Sequence, residues 1–394
     1  MKVCFIYNNE YLPTASTNYY EYMQSFAKIG VEIYVICATF NSSKLHIEKT
    51  TYGNISVYEI PVRTTLKRDI LSTTAFGGKA FKLAKKIYDM DKFDILHIRA
   101  FPDTGFLLVP LWAKMKKSCS LVLDVRAAAM TNWAINLFSR IMIIVQSIFF
   151  QNVIIIDRKM LNLIRISKNK VTEIPLGVNL RRFYAVNNNE ARNKLRMKLT
   201  LPLDRFICVY CGNMRRARKI EVILKSFKRA LDSHKNVQLL FIGGGCDNNY
   251  VKYLKRFCHE IGINKNVTFV GLIPFKEVAH YLAASDVGLA FITNTVQYRF
   301  QPAFKTVEYL ASGLAVIATA TPGNAVYIEN YKNGILVGDD EKSYAEGLSS
   351  IISDVNLRLS FASAARDSIK EFDYDTIVRN KLIPFYERIL RLNL

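Results

Sequence analysis

Residues 302–313 read Pro302-Ala303-Phe304-Lys305-Thr306-Val307-Glu308-Tyr309-Leu310-Ala311-Ser312-Gly313 and run into the apolar stretch Leu314-Ala315-Val316-Ile317-Ala318. Proline at the start and glycine at the end predict a short helix that closes just before a buried strand. A helix start exposes backbone N–H groups and the positive end of a dipole, which together suit a phosphate. Lys305 adds a point charge for that phosphate, and the Glu308 carboxylate can accept hydrogen bonds from two sugar hydroxyls. One segment can thus hold the diphosphate and the ribose of a nucleotide. Taken alone, the structural reading is the stronger one: Glu308 in a first turn contributes up to about 1 kcal/mol by complementing the dipole, and Lys305 is by default a solvated charge. The position of the segment in the chain reverses that order.

Working outward, short apolar runs alternate with helical stretches, the pattern of parallel sheets covered on both faces. The later series predicts strands at 206–210, 237–242, 267–270, 287–291, 315–318 and 334–337, with helices at 219–231, 250–261, 275–284 and 343–353. The earlier series predicts strands at 3–7, 32–37, 55–60, 95–98, 121–125, 153–156 and 171–174, with helices at 18–29 and 79–90. A polar, turn-rich stretch at 184–190 and a basic helix at 191–198 separate the two series. The expected fold class is α/β, two doubly wound domains in tandem: 1–184, then 200–375, with a closing helix over about 376–394 whose apolar face packs back on the first domain. Ligands in such sheets lie beyond the carboxyl ends of the strands, so two domains face to face would enclose a cleft.

The chain has 394 residues and a formal charge of +21, divided as +11 over residues 1–190 and +10 over the remainder. An excess spread so evenly is not a basic tail; it favours anions in general, whether nucleotides, lipid headgroups or nucleic acid. No basic–aromatic motif of a nucleic-acid binder appears, so no nucleic-acid partner is expected. Seven scattered cysteines predict reduced thiols in a cytoplasmic setting. The pair Cys208 and Cys211 ends an apolar strand with no second pair nearby, and the histidines lack metal-ligand spacing, so no metal and no cofactor are expected. No leader is legible at Met1-Lys2-Val3-Cys4-Phe5-Ile6-Tyr7, which reads as a buried strand. The stretch 134–156 is interrupted by Arg140, Gln146, Gln151 and Asn152 and reads as helix then strand. Phe138, Ile141, Val145, Ile148 and Phe149 fall at helical spacing there, which leaves an interfacial helix open beside a core helix.

Four further places in the second half carry chemistry. The strand at 206–210 runs into Cys211-Gly212-Asn213-Met214-Arg215-Arg216-Ala217-Arg218-Lys219, a glycine turn and basic cluster ahead of a helix. A solvated helix start is the plain reading, but basic residues oppose the dipole there, so an anion clamp is preferred. Gly243-Gly244-Gly245 after the strand at 237–242 permits close backbone approach or is a simple loop. The turn at Gly271-Leu272 can edge a nucleobase or merely connect strand to helix. Thr321-Pro322-Gly323-Asn324 is either part of the rim of the same cleft or a surface loop.

In this order the pieces resemble glycosyltransferase family 4. The likeness runs through Ile174-Pro175-Leu176-Gly177-Val178-Asn179-Leu180-Arg181-Arg182-Phe183, the strand at 206–210 with Gly212, residues 267–271, Tyr281-Leu282-Ala283-Ala284-Ser285-Asp286-Val287, residues 308–313 and Asn333-Gly334-Ile335-Leu336-Val337. In the first half it is thinner, resting on Gly30-Val31-Glu32-Ile33, Asp94-Ile95-Leu96-His97 and Leu121-Val122-Leu123-Asp124-Val125-Arg126. The resemblance implies the GT-B fold, two Rossmann-like domains facing a central cleft, and a retaining transferase that needs no metal. It implies that Glu308 binds the donor ribose. Arg218 holds the diphosphate with Arg215 and Arg216 as helpers. Lys305 and the backbone at Phe304 lie at the phosphates, Gly271 and Leu272 edge the base, and Gly212, Asn213, Gly244 and Thr306 are further donor-binding residues. The departures are Phe300 where the family often has a second glutamate, Asn213 where many members have a basic residue, Tyr11-Leu12-Pro13-Thr14-Ala15-Ser16-Thr17 where it has a glycine pair, and Arg126 where many have a histidine. Arg126 cannot act as a base but can stabilise negative charge at the reacting centre.

The expected function is therefore transfer of a sugar from a nucleotide-sugar to a glycan or lipid-linked acceptor in cell-surface polysaccharide synthesis. Arg126, Arg218 and Lys305 are the catalytic candidates. The site of action is the cytoplasm, with an anionic surface on the inner face of the membrane as a candidate location. The competing readings are a nucleotide-sugar epimerase, for which no acid/base pair is evident, and an inactive partner subunit, which Phe300 favours.

Overall fold

The computed structural model describes residues 1–11, 18–40, 46–62, 70–100, 119–126, 133–186, 188–244, 248–296, 298–300 and 303–392. Pro302, Gly245 and residues 12–17 of the first-domain loop lie outside them.

Runs of Val, Ile, Leu and Phe with no polar alternation can be buried on both faces only inside a parallel sheet flanked by helices. The chain builds two such sheets. The first contains β1 (Lys2–Tyr7), β2 (Glu32–Thr39), β3 (Glu48–Tyr52), β4 (Ile55–Pro61), β5 (Ile95–Arg99), β6 (Ser120–Val125), β7 (Asn152–Ile155) and β8 (Val171–Glu173), in the order β3-β4-β2-β1-β5-β6-β7-β8. The second contains β9 (Phe206–Cys211), β10 (Val237–Ile242), β11 (Val267–Gly271), β12 (Val287–Ala290), β13 (Ala315–Thr319) and β14 (Ile335–Val337), in the order β11-β10-β9-β12-β13-β14. All pairings are parallel except β3 with β4. Sequence order reverses between β1 and β5 in one sheet and between β9 and β12 in the other. Those are the points where a doubly wound sheet opens a crevice at its strand ends.

β3 is the strand that the apolar pattern does not predict. Its Glu-Lys-Thr-Thr-Tyr sequence is exposed throughout, and it pairs antiparallel at the sheet edge, where charged residues discourage further pairing.

The chain divides into two compact units, Met1–Leu176 with Tyr374–Leu394, and Gly177–Asp373. The polar stretch 184–190 and the basic helix Asn189–Lys198 lie inside the second unit. There Arg196 donates to Asp286 Oδ2 at 2.7 Å and to Ala284 O at 2.9 Å. In the first unit the returning segment buries Ile377, Val378, Leu382, Phe385, Tyr386 and Ile389 in the core that holds Phe5 and Phe26. Tyr386 stacks on Phe26 at 5.6 Å and hydrogen-bonds His97 Nδ1 at 2.6 Å. A wide π-helical turn, Val378–Leu382, precedes the final helix Ile383–Arg391, whose Pro384 has no N–H to donate backward.

Candidate functional site

The strands β9, β10 and β11 all end in glycine or run straight into it, and these ends are stitched together. Gly212 N–H donates to Ile242 O at 2.9 Å and Gly243 N–H to Gly271 O at 2.8 Å. Gly212, Gly243 and Gly271 take φ of +148°, +115° and +86°, which side-chain-bearing residues rarely adopt. A Cβ at Gly243 would sit 2.4 Å from Gly212 O. The close approach that Gly243-Gly244 suggested is therefore between neighbouring strand ends. Gly244 packs beside Leu272, whose side chain is 83% exposed.

The helix Phe304–Ala311 lies against this edge. Gly288 on β12 leaves the space filled by Tyr309, whose hydroxyl accepts the Cys211 N–H at 2.7 Å. Gly313 at φ +70° ends the helix before β13. Ala303 at the start has no side chain able to cap, and its carbonyl accepts from Thr306 and Val307 N–H, so the amides of Phe304 and Lys305 precede the first intrahelical bonds.

Lys305 reaches to the switch point. Its Nζ donates to Phe291 O at 3.4 Å, lies 3.8 Å from the centre of the Tyr210 ring, and would be 3.5 Å from a Cβ at Gly212. Among the described residues no carboxylate forms an ion pair with it. Burial of the ammonium and then the nearby Arg218 push its pKa well below the usual lysine range. A cation at a helix N-terminus is also disfavoured by about 0.3–1 kcal/mol. A cation–π contact of about 0.5–2 kcal/mol offsets part of this. An arriving anion would reverse all of the penalties at once.

Glu308, one turn further on, is 8% exposed. Among the described residues its carboxyl makes no ion pair or hydrogen bond. Burial raises its pKa to about 8, against the pull of Arg182 and Lys305. A buried carboxyl without a partner is costly in a fold and useful in a site.

The basic cluster does not begin the long helix. Arg216–Arg218 forms a single 3-10 turn, and Lys219 at φ +48° precedes the helix Ile220–Ser233. Glu221 supplies the first-turn carboxylate and accepts the Tyr250 hydroxyl proton at 2.6 Å, so the dipole conflict expected from the sequence does not arise. Arg218 lies over the Tyr298 ring at 4.4 Å. Arg216 instead covers Tyr250 and Tyr253 at 5.3 and 5.5 Å. Asn213 and Arg215 are exposed beside Gly212. Thr306 is turned inward: its hydroxyl donates to Asn324 Oδ1 at 2.7 Å. Asn324 is fully buried and its amide reaches Ala290 O, Thr319 O and Thr319 Oγ1, so the loop 321–324 is an internal brace rather than a rim or a surface loop. Phe300 lies under the Arg299 guanidinium at 5.2 Å. Sequence reading passed over three contributors: Tyr210 under Lys305, Tyr298 under Arg218, and Arg182, which acts on Glu308 and covers Phe275 at 4.8 Å.

Arg126 lies in the first unit and is 6% exposed. Its Nε donates to Asp124 Oδ2 at 2.7 Å and its Nη1 to Ile174 O at 3.4 Å, while Nη2 has no hydrogen-bond partner among the described residues. Burial alone would raise the Asp124 carboxyl; Arg126 and His97 outweigh it and hold it at about 2. The Arg126 charge is thus already neutralised.

The family model described as "Glycosyl transferases group 1" matches residues 191–368. Spore coat protein SA of Bacillus subtilis is 27% identical over 56% of this chain and 60% of its own length. D-inositol 3-phosphate glycosyltransferase of Corynebacterium jeikeium is 26% identical over 51% of this chain and 48% of its own. The chain thus spans about half the length of the curated relatives it matches. The solved structure of Anabaena HepE in complex with UDP-glucose superposes with a TM-score of 0.75 at 14% identity, covering 98% of this chain and 100% of that one. At that identity the likeness shows the fold, the two-unit GT-B architecture.

Proposed function

We propose that the chain, whose residues 191–368 match the group 1 glycosyl transferases, is a member of that family and transfers a sugar from a nucleotide-sugar to an acceptor with retention of anomeric configuration. One observation carries the reading. Among the described residues a buried carboxyl without a hydrogen bond or ion pair, Glu308, and an enclosed ammonium without a paired carboxylate, Lys305, share one helical turn at the switch point of the second sheet. Each is unfavourable alone, and a nucleoside diphosphate satisfies both.

In this reading the ribose hydroxyls donate to Glu308. The diphosphate takes Lys305, Arg218 and the amides of Phe304 and Lys305, with the Gly212 backbone close against it. Gly271 and Leu272 edge the base, and Asn213 and Arg215 stand at the mouth. As the sugar–phosphate bond breaks, negative charge grows on the leaving diphosphate, and preorganised cations and N–H groups stabilise it. The leaving phosphate takes the acceptor proton, so no protein base is assigned. Arg126, neutralised by Asp124, offers only its Nη2 to a substrate. Thr306 and Arg216 act through packing rather than through the donor. The acceptor is a glycan or lipid-linked glycan of the kind used to build cell-surface polysaccharide. HepE binds UDP-glucose, which makes uridine the first base to try.

The test is thermal stabilisation of the purified chain by a panel of nucleoside diphosphates, followed by release of that diphosphate from the matching nucleotide-sugars. A shift for one base that disappears in Glu308→Ala supports the donor site. No shift with any base refutes it. Phe300 in place of a family glutamate favours a second reading, a partner subunit that binds nucleotide without turnover. A shift without diphosphate release on any sugar or acceptor would select it.

A further inference from the structure

The helix that carries Lys305 and Glu308 is short, eight residues from Phe304 to Ala311, and its far end is held from outside. The Ala311 carbonyl accepts from Arg366 Nη1. The same guanidinium reaches a second segment: Nη1 donates to Phe183 O at 2.6 Å and Nη2 to Leu180 O. Among the described residues the Arg366 side chain bonds only to these backbone carbonyls. A planar fork with donors on both arms can span carbonyls of two segments, which a single ammonium does poorly. A side chain that only capped the helix would take that helix's own last carbonyls. Arg366 gives two of its three bonds to residues 180 and 183 instead.

That second segment is a closed turn. Asn179 Oδ1 accepts the Arg181 and Arg182 amides at 3.0 and 3.1 Å, Phe183 N–H donates to Asn179 O at 3.2 Å, and Leu180 N–H donates to Asp373 Oδ1 at 3.1 Å. At Gly313, just past the helix, an added Cβ would lie 2.7 Å from Ala185 Cβ, so the chain beyond the turn packs directly on the helix end. The turn carries Arg182, whose guanidinium covers Phe275 at 4.8 Å and pulls the Glu308 carboxyl downward against the effect of burial. The titratable and charged groups facing Glu308 are then Arg182 on this turn, Lys305 on its own helix, and the Cys211 thiol at the end of β9, which burial pushes up to about 12.

We propose that Arg366 is a positioning residue of the donor site: it fastens the turn 179–183 to the end of the helix Phe304–Ala311 and so sets Arg182 beside the Glu308 carboxylate that receives the ribose. Arg366 acts through Arg182 and makes no contact with the nucleotide. The proposal rests on the donor-site reading.

Titration calorimetry on the full chain tests it, from neutral to alkaline pH. The probes are the tightest-binding of the uridine, adenosine, guanosine and cytidine diphosphates and its 2′,3′-dideoxy form. The ratio of the two Kd values isolates the contact between Glu308 and the ribose. The variants are Arg366→Ala, Arg366→Lys, Arg182→Gln, and Arg366→Lys with Arg182→Gln. Arg366→Lys keeps the charge and carries the test should Arg366→Ala fail to fold. In the wild type the ratio rises with pH as Glu308 ionises. Withdrawing Arg182 makes that carboxyl harder to ionise, so in each single variant the rise moves to higher pH and the ratio at neutral pH falls about threefold to tenfold. The double variant is expected to fall no further than Arg182→Gln alone. A merely structural brace would weaken both nucleotides alike, so an unchanged ratio in Arg366→Lys would overturn the proposal and leave the donor site standing. Additive losses in the double variant would overturn it as well. A wild type that binds none of the diphosphates would overturn the donor site and the proposal with it.

Discussion

Replacing Glu308 by alanine gives an effect on nucleotide binding whose size must change with pH. A carboxylate accepting two ribose hydroxyls gains about 1.5 kcal/mol from each, or about 3 kcal/mol together. Burial holds the empty site's carboxyl at about 8, so near ~pH 7 ionising it costs about 1.4 kcal/mol. The net loss in Glu308→Ala is then about 1.6 kcal/mol, roughly a 15-fold rise in Kd. Near ~pH 9 the ionisation cost is gone and the loss approaches about 3 kcal/mol, roughly 150-fold. Titration calorimetry of the preferred nucleoside diphosphate on wild type and variant at both pH values measures the ratio. The 2′,3′-dideoxy nucleotide completes the cycle: it should bind wild type and Glu308→Ala alike, since each change removes the same contact. A mutant-to-wild-type ratio that does not change with pH, or a dideoxy analogue that weakens binding equally in both proteins, would refute the reasoning.

Three further outcomes follow from the same geometry. The folded state keeps a proton on Glu308 that the unfolded chain releases between about 4.5 and about 8. Its contribution to stability is therefore full below the lower value and declines as pH rises through that window, and denaturant midpoints of Glu308→Gln should lack this decline relative to wild type. Gly243→Ala forces a Cβ to 2.4 Å from Gly212 O at φ +115°, so it should cost at least about 2 kcal/mol in chemical denaturation and abolish nucleotide-induced stabilisation. Asp124→Asn leaves the buried Arg126 without its counter-charge and should cost about 3–5 kcal/mol by the same assay, whereas Asp124→Leu with Arg126→Met should cost less.

Much of the architecture was legible because its cause is local. Unbroken Val, Ile and Leu runs announce strands buried on two faces, and Gly313 announces the end of the helix that carries Lys305 and Glu308. β3 escaped because an exposed edge strand needs no apolar residue. The basic cluster at 215–219 was legible as lying ahead of the helix; the 3-10 turn Arg216–Arg218 and the left-handed Lys219 that set it off are backbone events that residue types alone do not dictate. Arg216, Thr306 and Asn324 show the same limit. Residue type alone did not give their contacts: Arg216 covers Tyr250 and Tyr253, Thr306 donates to Asn324, and Asn324 reaches Ala290 and Thr319, all from distant parts of the chain.

The sequence by itself determined the element types, the two sheets and the turn that carries Lys305 and Glu308, because periodicity and helix-end chemistry act over a few residues. Only the tertiary structure decided which groups were left without partners. Strand order placed β12 beside β9 and brought Lys305 against Phe291 and Gly212. Burial, a property of the whole packed unit, enclosed the Lys305 ammonium and the Glu308 carboxyl together and gave Arg126 to Asp124.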